Sequence, residues 1–198
     1  MMITKNVNNM RKMYLAVVAL LLCFTAHSAQ PNSKWCYMYG VDFSEVQVFG
    51  AMESEEDFAQ AFENINLLFI TEADKYDVSQ TIGHSVKLVL EPMMDLLKEC
   101  DYEDLKTYDD ECPEIDIAEC VESYDLEQEE GLGVVIIAKF LNKPEKYGKY
   151  AIVVFDIATR NVIKSVDVVG DAGGFGLRNF WAKSVYNVLT SVYIKLPK

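Results

Sequence analysis

The fold of this chain is decided by residues 132–169, which read LGVVIIAKFLNKPEKYGKYAIVVFDIATRNVIKSVDVV. The stretch opens with a continuous apolar, β-branched run, typical of a central strand that is buried on both faces. Two further apolar runs follow at 150–157 and 162–169, and the polar residues 158–161 between them predict a hairpin. The stretch therefore predicts a C-terminal meander of three strands.

A glycine-rich turn and a helix follow the meander. Residues 170–176 read GDAGGFG, and small residues at this point suit a sharp turn with positive φ angles. Beyond the turn, apolar side chains recur at helical spacing, at Leu177, Trp181, Val185, Val188 and Val192. This spacing predicts a last amphipathic helix whose apolar side packs on the sheet.

A strand and a helix are predicted at the start of the domain. Residues 35–50 read WCYMYGVDFSEVQVFG, and their alternation is typical of a strand. It places five side chains on one face: Trp35, Tyr37, Tyr39, Val41 and Phe43. Ser54 and Asp57 then form a capping box, which predicts a helix start. Its apolar side chains recur at helical spacing, at Phe58, Phe62, Ile65 and Phe69.

The secondary-structure signal is weaker between the first helix and the meander. A short strand at 86–90, a short helix from Pro92 to Cys100 and a weak helical stretch at 115–124 are predicted there. Strands and helices in this order predict a mixed α/β (α+β) fold in a single domain. We expect a four- or five-stranded sheet that ends in the three-stranded meander, with at least two helices packed on one face.

The first 29 residues predict a secretory signal peptide that is removed. Basic residues precede an apolar run of 12 residues at 13–24, and small residues follow it. A membrane span needs about 20 apolar residues, so we expect no stable membrane insertion after cleavage. Cys23 lies in the context LLLCF, without the small preceding residue of a lipoprotein signal, so no lipid anchor is expected. The leader predicts an exported chain, periplasmic or secreted, in which residues 30–198 form one domain.

Negative charge is concentrated in an acidic, cysteine-containing insert at about residues 95–130. Without the leader the chain has 15 basic and 31 acidic residues, a net charge of −16, and the insert contributes −14 of this. Nucleic acid is excluded as a partner, because phosphate binding needs a basic surface. The insert is interpreted as a solvated excursion, and the alternatives are a docking surface for a basic partner, through Asp109, Asp110 and Glu111, or a calcium site. It lacks the glycine and the alternating oxygen ligands of a calcium loop.

The domain contains four cysteines that an oxidising compartment could pair: Cys36, Cys100, Cys112 and Cys120. Three connectivities are possible, and the sequence does not choose among them. Zinc is not expected, because the spacings contain no CxxC and His84 is the one histidine of the domain.

Two features resemble reactive sites without completing a motif. The run from Gly170 to Gly176 lies before a helix N-terminus, where anions bind, and Arg178 follows in the first turn of that helix. The run lacks the lysine of a Walker loop and the third glycine of a dinucleotide loop. His84 has no GxSxG, HExxH or reactive-cysteine motif beside it. We therefore expect no catalytic residue, no cofactor and no metal site.

Residues 153–189 resemble small exported α/β domains of Gram-negative envelopes. The shared pattern is a strand ending in Asp, a Thr-containing turn, a returning strand and a Gly-rich turn that leads into a helix. This class includes the periplasmic domain of the curli secretion channel, the N-terminal domain of TolB and the lipoprotein activators of peptidoglycan synthases. The chain is also similar to secreted bacterial proteins that have a GGFGLRNFW-like segment.

The resemblance implies a non-enzymatic adaptor or regulator that binds envelope proteins. Its expected contact surface combines the acidic insert with the glycine turn. The candidate residues are Asp109, Asp110, Glu111, Gly173, Gly174, Phe175 and Arg178. The alternative is a secreted enzyme, or a small-ligand or anion binder, that uses the turn and Arg178.

Overall fold

The strand β5 (Leu132–Asn142) lies at the centre of the sheet in a computed structural model, which describes residues 35–102 and 104–196. The predicted signal peptide, Cys23 included, lies outside the described residues. Seven strands form one sheet. The other six are β1 (Cys36–Asp42), β2 (Gln47–Phe49), β3 (Lys87–Leu88), β4 (Lys106–Thr107), β6 (Tyr147–Asp156) and β7 (Val162–Asp171).

The seven strands occupy five positions across the sheet. β1 and β2 pair one after the other, in parallel, with the same edge of β5, while β6 runs antiparallel along its other edge. The two-residue strands β3 and β4 pair in parallel with β1 and β2 at one side of the sheet, and β7 pairs antiparallel with β6 at the other. The predicted mixed α/β fold with its C-terminal three-stranded meander is confirmed.

Six helices lie among the described residues: α1 (Glu55–Asn66), α2 (Leu68–Thr71), α3 (Val78–Ile82), α4 (Glu91–Glu99), α5 (Ile117–Ser123) and α6 (Leu177–Ser191). The predicted capping box is present at the start of α1, because Ser54 and Asp57 bond reciprocally. α1 and α6 pack on the same face of the sheet, where Phe62 and Trp181 belong to one apolar cluster with Val134 and Ile152. We call this cluster the first core. The two helices lie on one face of the sheet, as the sequence periodicity predicts.

The opposite face of the sheet is covered by part of the acidic insert. Val121 of α5 and the following Tyr124 are 0% and 4% exposed and pack against Val135, Val153 and Phe155. The interpretation of the insert as a solvated excursion is therefore wrong for these residues. A few apolar side chains, spaced by acidic ones, are enough to close a second core.

A bulge in β1 changes which side chains face which core. The pairing with β5 shifts between Met38 and Val41, so Tyr39 lies in the second core whereas Val41 and Phe43 lie in the first. The prediction that these residues share one face is wrong, because an extra residue in a strand reverses the alternation beyond it. Gly40 takes a φ of 103° at this point, in the region that favours glycine.

A side chain of α1 replaces the hydrogen bonding that the bulge disrupts. The backbone N–H of Val41 donates to Asn66 Oδ1 at 2.7 Å, and Asn66 Nδ2 donates to the Val41 carbonyl at 2.9 Å. Asn66 is fully buried. Its amide thus satisfies two buried backbone groups and fixes the end of α1 on β1.

Candidate protein-binding surface

The glycine turn between β7 and α6 is held by two backbone hydrogen bonds from its first residues. Ala172 N–H donates to the Lys146 carbonyl at 2.7 Å, and Gly173 N–H donates to the Phe180 carbonyl at 3.0 Å. Gly174 and Gly176 have φ angles of 116° and 80°, which confirms the predicted need for positive φ. The turn is therefore a fixed projection between a strand and a helix.

Phe175 stands at the tip of this projection. Its exposed fraction is 95%, although phenylalanine is usually buried. The Phe175 carbonyl accepts a 3.0 Å hydrogen bond from Asn179 Nδ2, which ties the backbone at the tip to the first turns of α6. The structure thus presents an aromatic ring to solvent from a constrained backbone.

Two cations lie beside the turn. Lys183 Nζ lies over Gly173, where a Cβ in place of the glycine hydrogen would be 3.3 Å from the ammonium group. Arg178 lies near Tyr76: burial raises the pKa of Tyr76, and the charges of Lys75 and Arg178 partly oppose that shift. Neither Arg178 nor Lys183 forms an ion pair with any residue that the structure describes. Both charges are therefore available to a partner.

Lys183 is the residue of this surface that the sequence interpretation missed. It lies two turns into α6, in a stretch that reads as an ordinary amphipathic helix. Its position over Gly173 depends on how α6 packs against the end of β7. Gly170 permits a close approach there, because a Cβ at this residue would lie 2.2 Å from the Ser184 carbonyl oxygen.

A cleft of about 180 Å³ continues this surface along α6. It is lined by Lys75, Tyr76, Lys183 and Tyr186, among others. Lys75 Nζ is 3.1 Å from Glu72 Oε2 and 5.1 Å from the ring centroid of Tyr76. The hydrogen bond to Glu72 raises the pKa of Lys75, so this amine stays charged. The cleft adds aromatic faces and a third cation to the surface around Phe175.

The acidic trio of the sequence prediction, Asp109, Asp110 and Glu111, is exposed. Its loop is shaped by local bonds: Asp109 N–H donates to Thr107 Oγ1 and Glu111 N–H to Asp109 Oδ1, both at 3.0 Å. Tyr108 beside it is fully exposed. The loop follows β4, whereas the glycine turn follows β7 at the other side of the sheet. No hydrogen bond or ion pair within residues 35–102 and 104–196 joins the two, although Cys112, next to the trio, lies near Lys149 and Asp167 of β6 and β7.

The four cysteines of the described residues are free thiols, and the predicted disulfide is not present. Burial raises the pKa of Cys36 and of Cys120 to about 12 and that of Cys100 to about 11. Cys112 lies near Lys139 and Lys149, but burial still raises its pKa. Thiols with raised pKa values are poor nucleophiles, because the thiolate is the reactive form.

His84 and the carboxylates do not assemble into a reactive centre. The His84 side chain is exposed, and its Nδ1 lies 3.0 Å from the carbonyl oxygen of the adjacent Ser85. Neither His84 nor Arg178 lines the clefts beside Tyr102, Tyr193, Ile117 and Tyr76. Within the same part of the chain, no group of three or more His, Cys, Asp or Glu side chains is placed to hold a metal ion.

The helices of the described residues are all too short or too polar to cross a membrane.

Comparison with known proteins finds no matching family model, no matching curated protein and no matching solved structure. The resemblance to exported envelope domains therefore stays a prediction from the sequence.

Proposed function

We propose that the mature chain is an exported, non-enzymatic protein-binding module of the bacterial cell envelope, acting as an adaptor or regulator. The observation that supports it best is Phe175, a 95% exposed aromatic ring on a turn whose backbone is fixed by hydrogen bonds. The signal-like leader supports export.

An exposed ring on a fixed backbone is suited to act as a binding anchor. Aromatic side chains dominate the energetics of protein interfaces when a partner pocket buries them. The backbone of the glycine turn is already ordered, so binding orders little more than the Phe175 side chain itself. Burial of one such ring contributes about 1.5–3 kcal/mol.

The charges beside the ring define the partner surface. Arg178 and Lys183 have no ion-pair partner within the part of the chain that the structure describes, whereas Lys75, along the same side of α6, is paired with Glu72. A complementary surface therefore has an apolar pocket for Phe175 with carboxylates at its rim. Rim charges of this kind select the partner and speed association more than they add affinity.

The acidic trio is a second contact in this proposal. Asp109, Asp110 and Glu111 form no ion pair with any described residue, and Tyr108 is fully exposed among them. This surface suits a basic partner. Substitutions in the trio and in the glycine turn are therefore tested separately.

Affinity capture from an envelope extract tests the proposal. The immobilised wild-type protein is compared with Phe175→Ala, with the double variant Arg178→Gln and Lys183→Gln, and with a variant in which Asp109, Asp110 and Glu111 become Asn or Gln. Trp35→Ala is the matched control, since Trp35 is an aromatic residue with an exposed fraction of 48% that precedes β1, at the end of the sheet opposite to the glycine turn. We expect a defined partner that Phe175→Ala loses and Trp35→Ala keeps. Equal recovery of every captured protein by all variants would exclude both surfaces.

An anion binder at the glycine turn is a second candidate function. It is favoured by the approach of Lys183 to Gly173 and by the N-terminus of α6, where no side chain caps the free N–H groups. A thermal-shift series with phosphate, sulfate and nucleotides tests it. A ligand at 100 times its Kd adds about 2.7 kcal/mol of stability, and Lys183→Met should remove that gain. The absence of any shift would eliminate this candidate.

A further inference from the structure

The strand β7 has an open edge. It pairs with β6 along one side, and no backbone hydrogen bond from residues 163–169 reaches any other described residue. The strand is ten residues long, contains no proline and is in regular register with β6 from Lys164 to Asp171. Long edge strands of this kind are templates for pairing with another chain.

The other side of the sheet is constructed differently. β3 and β4, which lie there, have two residues each, and very short edge strands are a common protection against pairing. β7 has no such protection over its regular length. Within residues 163–169 its charged side chains are Lys164 and Asp167, and the Asp167 carboxylate is paired with Lys139 of β5.

A groove runs beside the open edge on the second face of the sheet. It has a volume of about 660 Å³ and lies between Ile115, Ile117 and Ala118 on one side and Val162 and Ser165 on the other. Ser165 and Asp167 are on this face, because they pair with Val153 and Ala151 of the second core. A strand added to β7 would therefore place alternate side chains in this groove.

The rim of the groove is acidic. Glu114 and Asp116 line it and are exposed, whereas the nearby Asp167 on β7 is paired with Lys139 at 3.1 Å. The apolar floor and the acidic rim together select a segment in which apolar residues alternate with basic ones. Net negative charge over the whole chain favours the same partner.

We propose that the edge of β7 binds an extended segment of a partner protein, of alternating apolar and Lys or Arg residues, as an additional strand. Main-chain hydrogen bonds would supply affinity, and the groove with its acidic rim would supply specificity. The inference rests on the proposed function, because it assumes that the chain binds proteins. It involves none of the residues of the glycine turn.

Synthetic peptides test the pairing directly. The probe is a ten-residue peptide of alternating Val and Lys with blocked ends, and binding to the whole mature protein is measured by calorimetry at low salt. Two further peptides are N-methylated, one on every Val and one on every Lys. Successive N–H groups of a strand face opposite edges, so strand pairing predicts that one methylated peptide binds about tenfold or more weakly while the other binds as the parent does.

Protein variants and hydrogen exchange locate the site. We expect Glu114→Lys to weaken the parent peptide about threefold or more, with Glu63→Lys, at an exposed acidic residue of α1 on the other face of the sheet, as the matched control. Backbone N–H groups between Lys164 and Val169 should gain exchange protection when the peptide binds. The Phe175→Ala variant should bind the peptide as the wild type does. The peptide experiment therefore tests strand pairing at β7 independently of the proposal that the glycine turn binds a partner.

Three results would overturn the inference. The first is no binding of the parent peptide, and the second is equal binding of both methylated peptides, which would indicate adsorption without strand pairing. The third is a dimer, detected by light scattering, in which β7 is protected without peptide, because a second copy would then be the occupant.

Discussion

The Tyr124 hydroxyl donates a 2.6 Å hydrogen bond to Asp42 Oδ2, across 82 positions of the chain. Asp42 ends β1 and is 2% exposed, and its other oxygen accepts from the Ser44 N–H at 2.8 Å. Burial, together with the nearby Asp42 charge and this hydrogen bond, raises the pKa of Tyr124 well above its usual value. This contact ties the acidic insert to the first strand of the sheet.

Tyr124→Phe should destabilise the fold by about 1–3 kcal/mol. The substitution removes the hydroxyl and leaves a buried carboxylate oxygen of Asp42 without its donor. Urea unfolding measures the loss. Tyr108→Phe is the control, since Tyr108 is fully exposed, and it should change the free energy of unfolding by less than about 0.5 kcal/mol. Equal stability of the two variants would contradict the proposed role of the contact.

Asn66→Ala should destabilise the protein by about 2–4 kcal/mol. The change leaves both the N–H and the carbonyl of Val41 buried without a partner. Asn64→Ala is the matched control in the same helix, because Asn64 is exposed and bonds to the Gln60 carbonyl one turn back. If the unfolding curves of the two variants coincide, the bulge does not need the Asn66 amide.

Periodicity predicted the parts of the fold in which it is unbroken. The meander, the helix that begins after Ser54 and the helix of Trp181 are confirmed, because each buries one face at a constant spacing. The faces of β1 were not predictable beyond Gly40. The bulge there depends on the amide of Asn66, which is distant in sequence and reads as an ordinary helical asparagine.

The candidate surface was predictable in part. Phe175 and Arg178 were found from the sequence, because the glycine turn marks the end of a strand and the start of a helix. Lys183 was not found, since its place over Gly173 depends on three-dimensional packing. The burial of Val121 and Tyr124 was missed for a similar reason: the acidic composition around them is typical of a solvated loop.

Stability should fall as the pH rises from about 8.5 towards 10. Cys36 is 1% exposed, and burial raises its pKa from 9.0 to about 12, so its thiol stays protonated in the folded protein while it ionises in the unfolded chain. The unfolded state then binds fewer protons, and the free energy of unfolding decreases with pH, by at most about 1.4 kcal/mol per pH unit for one group. Cys100 and Cys120 act in the same direction.

The contribution of Cys36 is isolated by comparing how steeply the free energy of unfolding falls with pH in the wild type and in a Cys36 variant. Urea titrations of the wild type and of Cys36→Ala, at intervals between about pH 7.5 and 9.5, should give a shallower decline for the variant, whatever its stability at the lowest pH. Parallel curves for the two proteins would contradict the contribution of Cys36.

Expression of the full-length chain in a Gram-negative host should yield a shortened protein outside the cytoplasm. The n-region, the apolar run and the small residues that follow predict cleavage that leaves Ala29 or Gln30 as the first residue. Intact mass measurement of the periplasmic and medium fractions checks this. A full-length protein confined to the cytoplasm would contradict export.

Site-specific photocrosslinking at Phe175 tests the central claim most directly. A benzoylphenylalanine is placed at position 175 in one protein and at position 35 in another, as the control at an exposed aromatic residue at the opposite end of the sheet. Each protein is irradiated in an envelope extract of its native host. We predict a discrete crosslinked adduct from position 175 that is absent from position 35 and is competed by unlabelled wild type but not by Phe175→Ala. The absence of an adduct at position 175, or the same adducts at both positions, would contradict the proposal that the glycine turn is a protein-binding surface.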